Sequence, residues 1–132
     1  MTQTLLDEAL VLVIDDVPEI VDELVTMLSL LDMPALGARS LSDAMTVLEN
    51  APALKAIACD IRLARESGFE ILRLIAQHPQ LSTRPYGFVF MTGDPMRPDA
   101  IDAQKTYHLL SKPVQPRALI EILQKLLAAP NA

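Results

Sequence analysis

Short apolar runs alternate along the chain with longer segments whose apolar residues recur at helical spacing. The short runs are typical of strands that are buried on both faces. They cover residues 10–14, 55–59, 86–91 and 107–110, with a weaker one at 35–38. The helical segments cover residues 18–31, 40–48, 67–78, 98–105 and 115–127, of which 98–105 is the weakest. Five strands alternating with five helices predict an α/β, doubly wound fold: a parallel sheet with helices on both faces.

Local signals mark several helix ends. Pro18 suits the first turn of the first helix, whose buried face is expected to reach Leu31. Ser40, followed by Asp43 three residues later, resembles a capping box that opens the second helix. In the third helix, Phe69 belongs to the expected buried face.

Composition narrows the class of protein. With 132 residues, the chain is expected to be one domain, with a core at about 8–128 and a frayed C-terminal tail. Its net charge of −6 disfavours direct binding to nucleic acid. No apolar run approaches the roughly 18 residues of a membrane span, and acidic residues near the start argue against a secretory signal. The single cysteine, Cys59, agrees with a reducing compartment, so we expect a cytoplasmic protein.

Polar residues that could take part in catalysis or metal binding follow four of the predicted strands. They are Asp15 and Asp16 after the first, Asp60 after the third, Thr92 after the fourth and Lys112 after the fifth. Binding sites in open parallel sheets form beyond the carboxyl ends of the strands. A strand order of 2-1-3-4-5 would place the first and third strands side by side and bring the three carboxylates into one cleft.

Three neighbouring carboxylates repel one another, so the cleft needs a positive charge. Mg²⁺, or Mn²⁺, suits oxygen ligands of this kind better than zinc, for which no Cys/His cluster is present. Lys112 adds a second cation and Thr92 a hydroxyl donor. The set predicts a pocket for a phosphoryl group, with Asp60 as the nucleophile and Asp15 and Asp16 as metal ligands. Taken alone, the Asp15-Asp16 pair would more often be a cap on the first helix, but its occurrence together with Asp60, Thr92 and Lys112 favours the phosphoryl site.

The same residues resemble the receiver domain of two-component response regulators over about residues 8–128. That family has an acidic pair after the first strand, a phosphoacceptor aspartate after the third, a Ser/Thr and a small residue after the fourth, and Lys-Pro after the fifth. The corresponding residues are Asp15-Asp16, Asp60, Thr92-Gly93 and Lys112-Pro113, with Gly68 at the family's glycine position. The resemblance implies a flavodoxin-like (βα)5 sandwich and a stand-alone receiver or one excised from a larger regulator.

The resemblance also implies roles and partners. Asp60 would accept a phosphoryl group from a sensor histidine kinase or a phosphotransfer protein. Mg²⁺ would be held by Asp16, Asp60 and the backbone carbonyl of Arg62, with Asp15 acting through water. Thr92 and Lys112 would bind the phosphoryl oxygens, which makes the domain a signalling switch rather than an enzyme. A downstream protein target is expected, and a homodimer is left open.

One departure from the family concerns signal output. The family usually has an aromatic residue three positions before the lysine, where this chain has Leu109. Tyr107 lies two residues earlier and should face the same side of the strand, so it is a candidate substitute. Arg62 and Asp94 are expected to flank the pocket and to modulate the lifetime of the phosphorylated state.

Two other functions stay open at this point. One is a pseudo-receiver that signals through partner contacts without phosphorylation, which the missing aromatic residue favours. The other is a metal-dependent phosphatase or nucleotide enzyme on the same architecture. The Asp15-Asp16-Val17-Pro18 sequence lacks both the Asp-x-Asp motif of haloacid-dehalogenase-like phosphatases and a glycine-rich phosphate loop.

Overall fold

Five parallel strands form the central sheet of the computed structural model, which describes residues 2–93 and 107–128. The strands are β1 (Val11–Ile14), β2 (Ala35–Ala38), β3 (Ala56–Asp60), β6 (Gly87–Thr92) and β7 (Tyr107–Ser111). Their order in the sheet is β2-β1-β3-β6-β7, which confirms the predicted order 2-1-3-4-5. A short antiparallel hairpin of β4 (Arg62–Leu63) and β5 (Glu66–Ser67) follows β3.

Five helices precede, connect or follow the strands of the described residues. They are α1 (Thr2–Glu8), α2 (Pro18–Leu30), α3 (Leu41–Asn50), α4 (Glu70–Ala76) and α5 (Pro116–Ala128), with a 3-10 turn at Leu81–Thr83. The sequence pattern did not predict α1. The side chain of Ser40 accepts a hydrogen bond from the backbone N–H of Asp43 at 3.1 Å, so Ser40 caps α3 as predicted. The predicted helix at 98–105, like Asp94, lies outside the described residues.

The core has two layers because successive side chains of each strand point to opposite faces of the sheet. On one face, Leu12, Ile57 and Phe90 pack against α3 and α4. On the other, Val13 and Val89 pack against α2 and α5. Every residue of β1 and β3 is buried. Full burial of one large apolar side chain contributes roughly 1.5–3 kcal/mol to the stability of the folded state. The buried residues of β1 and β3 therefore stabilise the two strands that carry the aspartates.

Two predicted helix boundaries are wrong. Leu31 was expected on the buried face of α2, but the helix ends at Leu30 and Leu31 is 45% exposed. Asp32, with φ of 64°, takes the left-handed conformation that turns the chain out of the helix. The third predicted helix begins at Glu70 instead of residue 67, because residues 66 and 67 pair with β4.

A membrane-spanning helix is absent from the described part of the chain, where no helix combines the necessary length and apolar character.

Candidate functional site

The carboxyl ends of four strands bring all five predicted site residues to one edge of the sheet. Asp60 is the last residue of β3 and Thr92 the last residue of β6, while Asp15 and Asp16 follow β1 and Lys112 follows β7. The parallel register aligns these strand ends. It pairs Ile14 with Cys59, Asp60 with Met91 and Thr92 with Ser111.

The three aspartates form one compact cluster. Each of Asp15, Asp16 and Asp60 offers a carboxylate oxygen, and these oxygens lie within 4.8 Å of one another. Asp15 is 1% exposed and Asp60 4% exposed, whereas Asp16 is partly exposed. Two buried carboxylates at such a distance repel each other strongly when both are ionised. A cation bound among these oxygens would reduce the repulsion.

The effect of burial and repulsion is clearest at Asp15. Its Oδ1 accepts a hydrogen bond from the backbone N–H of Val17 at 2.9 Å. Its Oδ2 is buried and has no hydrogen-bond partner among the described residues. Burial raises the pKa of the Asp15 carboxyl above its ordinary value, and the neighbouring charge of Asp60 raises it further. A turn-capping role thus explains one oxygen of Asp15 and leaves the other without a partner.

The donor set of this cluster fits a hard divalent cation. Mg²⁺ prefers one or two carboxylates together with waters and phosphate oxygens. The buried, unpaired Oδ2 of Asp15 is a site where such an ion, or water bound to it, would supply the missing partner.

Asp60 is held by two donors from opposite sides. Its Oδ2 accepts from the Lys112 ammonium at 2.9 Å, and its Oδ1 accepts from the backbone N–H of Arg62 at 3.2 Å. Lys112 is in turn fixed to β6, because its backbone N–H donates to the carbonyl oxygen of Thr92 at 2.7 Å. The Lys112 side chain is 34% exposed, against 6% for Asp60, so the ion pair joins a buried carboxylate to a partly exposed ammonium.

The backbone behind Asp60 is tightly packed. A Cβ atom on Gly68 would collide with the carbonyl oxygen of Asp60 and lie 2.9 Å from the Cys59 sulfur. The Cys59 thiol donates to the same Asp60 carbonyl at 3.3 Å, and burial raises its pKa. Cys59 is therefore a packed structural thiol, and Gly68 allows the chain to pass directly beneath the site.

The sequence did not predict the contact between Glu66 and helix α3. Glu66 Oε2 accepts a hydrogen bond from the backbone N–H of Leu41, the first residue of α3, at 3.0 Å. The two residues are 25 positions apart, and the sequence contains no local signal for this pairing. Arg62 lies on the same hairpin and is exposed. Its predicted contact with Asp94 involves a residue outside the described ranges.

Leu109 and Tyr107 lie on the same face of β7, as strand alternation predicts, and both pack against the α3/α4 layer. The Tyr107 ring centroid is 5.6 Å from that of Phe69 and 5.2 Å from that of Phe90. The aromatic ring on this strand is therefore part of a cluster below the pocket.

Comparison with known proteins agrees with this geometry. The family model described as "Response regulator receiver domain" matches residues 11–124. The chain belongs to this family. Receiver domains bind Mg²⁺ at an acidic pocket and take part in two-component signalling, and the cluster of Asp15, Asp16 and Asp60 fits that phosphorylation and Mg²⁺ site.

Solved structures of receiver domains superpose over most of this one. A receiver domain protein from Clostridium thermocellum is 26% identical, with a TM-score of 0.76 over 90% of this chain and 94% of that chain. The PhyR response regulator REC domain of Erythrobacter litoralis is 24% identical, with a TM-score of 0.74 over 96% and 97%. The chemotaxis response regulator CheY4 of Vibrio cholerae is 22% identical, with a TM-score of 0.73 over 89% and 98%. The CheY-like, flavodoxin-like fold is thereby confirmed. No curated protein sequence matches the chain.

Proposed function

We propose that this receiver domain accepts a phosphoryl group on Asp60 from a phosphohistidine of a sensor kinase or phosphotransfer protein, and then switches conformation to control a partner. The observation that carries the proposal is the 2.9 Å contact between Asp60 Oδ2 and the Lys112 ammonium, beside a cluster of three carboxylates. A nucleophilic carboxylate, a fixed cation and an acidic metal pocket are the three parts that phosphoryl transfer to aspartate requires.

Asp15, Asp16, Asp60 and the backbone carbonyl of Arg62 would hold Mg²⁺, or Mn²⁺. The bound ion would neutralise negative charge on the transferred phosphoryl group. A carboxylate oxygen of Asp60 then forms the O–P bond, while the P–N bond of the donor breaks and its electron pair returns to the imidazole nitrogen. Lys112 remains close enough to Asp60 to pair with a phosphoryl oxygen.

The switch follows from competition for the same donors. In the unphosphorylated domain the Lys112 ammonium is paired with Asp60. Phosphorylation replaces that carboxylate by a group with three strong acceptor oxygens, which attract both the ammonium and the hydroxyl of Thr92. Because Thr92 ends β6, a new bond there shifts the chain that follows it. Arg62 and Asp94 would modulate the lifetime of this state, and Leu109 its transmission along β7.

Phosphorylation with labelled acetyl phosphate and Mg²⁺ tests the proposal. We expect label on the wild-type protein and none on Asp60→Asn. Lys112→Met should slow labelling by about 100-fold, because it removes the fixed cation. Lys125→Met, which removes an exposed lysine of α5, is the control and should label normally.

Two results would replace the proposal. Absence of label on the wild-type protein, or label that persists in Asp60→Asn, would favour a pseudo-receiver that acts through partner contacts alone. Repeated turnover of small phosphate esters would favour a phosphatase.

A further inference from the structure

The β4–β5 hairpin connects the phosphoacceptor to helix α3. It begins directly after Asp60 and ends at Gly68, whose backbone N–H donates to the carbonyl oxygen of Ile61 at 2.6 Å. Between these points, Leu63 is buried and the remaining hairpin residues are exposed. A two-residue ladder of this length has little stability of its own. Its position therefore depends on what its side chains contact.

Glu66 provides such a contact. Its carboxylate accepts from the backbone N–H of Leu41 at 3.0 Å. Leu41 is 3% exposed, and as the first residue of α3 it has no intrahelical acceptor for that N–H. A carboxylate at this end of a helix also interacts favourably with the helix dipole. The bond thus satisfies a buried donor and attaches the hairpin to an element that is anchored in the core.

The opposite side of the hairpin reaches the pocket. Ser67 pairs with Arg62 in the ladder, and Glu66 pairs with Leu63. The backbone N–H of Arg62 donates to Asp60 Oδ1 at 3.2 Å. A displacement of the β5 strand would therefore carry the Arg62 backbone with it and alter its contact with the phosphoacceptor.

We propose that Glu66 is a positioning residue: by tying the hairpin to the start of α3, it holds the Arg62 backbone in the arrangement that metal binding at Asp60 requires. The metal role of the Arg62 carbonyl rests on the proposed function above. The bond from Arg62 to Asp60 is a feature of the structure itself.

Three variants separate positioning from charge. Glu66→Ala removes the acceptor, Glu66→Gln keeps an acceptor oxygen without the charge, and Glu70→Ala removes an equal charge. Glu70 is an appropriate control because it is exposed at the start of α4 and pairs with Arg73 on the same helix. Each variant is examined by hydrogen exchange of the Leu41 and Arg62 amides and by Mn²⁺ titration followed by electron paramagnetic resonance.

We expect Glu66→Ala to accelerate exchange of both amides by roughly tenfold, the effect of losing one hydrogen bond. Its dissociation constant for Mn²⁺ should rise by about tenfold, as is usual when a group that supports a metal ligand is removed. Glu66→Gln should stay within about threefold of wild type in both measurements, because a neutral acceptor restores part of the bond. Glu70→Ala should match wild type in amide exchange.

The inference is wrong if Glu66→Ala accelerates exchange of Leu41 alone and binds Mn²⁺ as Glu70→Ala does, since Glu66 would then be only a helix cap. It is also wrong if Glu66→Gln is as impaired as Glu66→Ala. These readouts do not require phosphorylation. A wild-type protein that binds Mn²⁺ but takes no label would overturn the proposed function and leave the result for Glu66 standing.

Discussion

The two halves of the carboxyl edge are built differently, although both contribute residues to one pocket. On the side of β1 and β3, every strand residue is buried, and the space above Gly68 is filled by the Asp60 backbone. On the side of β7, no strand residue is fully buried, and at the end of the adjacent strand β6 a Cβ atom on Gly93 would meet no atom of the described residues within 4 Å. Lys112 joins the two halves through its contact with Asp60.

This difference in packing matches the different tasks that the proposed function gives to the two halves. The acidic half must hold three mutually repelling carboxylates in place, and only a rigid, close-packed backbone does so. In the proposed switch, Lys112, which follows the less buried strand β7, changes its partner when the phosphoryl group arrives, and looser packing of that strand lowers the cost of the rearrangement. Substitutions should accordingly be costly in the first half and mild in the second.

A matched pair of glycines gives the largest expected contrast. Gly68→Ala should lower the free energy of unfolding by about 3 kcal/mol, because the new methyl group overlaps the Asp60 carbonyl and the backbone has no space to yield. Gly93→Ala should change it by less than about 0.5 kcal/mol, since no atom of the described residues lies within 4 Å of the added Cβ and the φ of Gly93 is not positive. Urea denaturation measures both. Equal losses in the two variants would remove the contrast in packing.

Substitution of Asp15 measures how much a buried carboxylate destabilises the acidic half. Because burial raises the pKa of Asp15, its ionised form weakens the folded state at neutral pH. Asp15→Asn should therefore increase the free energy of unfolding without metal by about 0.5–2 kcal/mol, and should reduce stabilisation by Mg²⁺. The amide oxygen of asparagine can still accept from Val17. Asp16→Asn, at a partly exposed position, is the comparison and should stabilise less.

The sign of the pH dependence follows from the same shift. In the interval from the ordinary pKa of 3.8 up to the raised pKa of the folded state, the native protein binds more protons at Asp15 than the unfolded chain does. The Asp15 contribution to stability therefore falls as pH rises through that interval. Denaturation at a series of pH values without metal should show a shallower decline in Asp15→Asn than in wild type. Identical profiles would show that the pKa of Asp15 is not raised in the folded state.

The contrast also explains how much the sequence could predict. The strands of the acidic half are short, continuous apolar runs followed by the aspartates, so the positions of the strands and the placement of the aspartates at their carboxyl ends could be predicted from local pattern. The contact of Glu66 with α3 was missed because it depends on tertiary proximity across 25 residues. The start of α4 was misplaced because pairing of Glu66 and Ser67 with β4 overrides the helical spacing. Leu31 was misplaced because Asp32 ends the helix through its backbone conformation.

The smallest expected effect lies on β7. Tyr107→Leu removes ring contacts with Phe69 and Phe90 and should lower the free energy of unfolding by about 1 kcal/mol, the value of such aromatic pairs. His108→Ala, at the exposed neighbouring position, should change it by less than about 0.5 kcal/mol. Neither variant should slow labelling by acetyl phosphate, because neither side chain is among the proposed pocket residues. If Tyr107→Leu lowered the free energy of unfolding as much as Gly68→Ala, β7 would be packed as tightly as β3. The proposed difference in packing between the two halves would then be wrong.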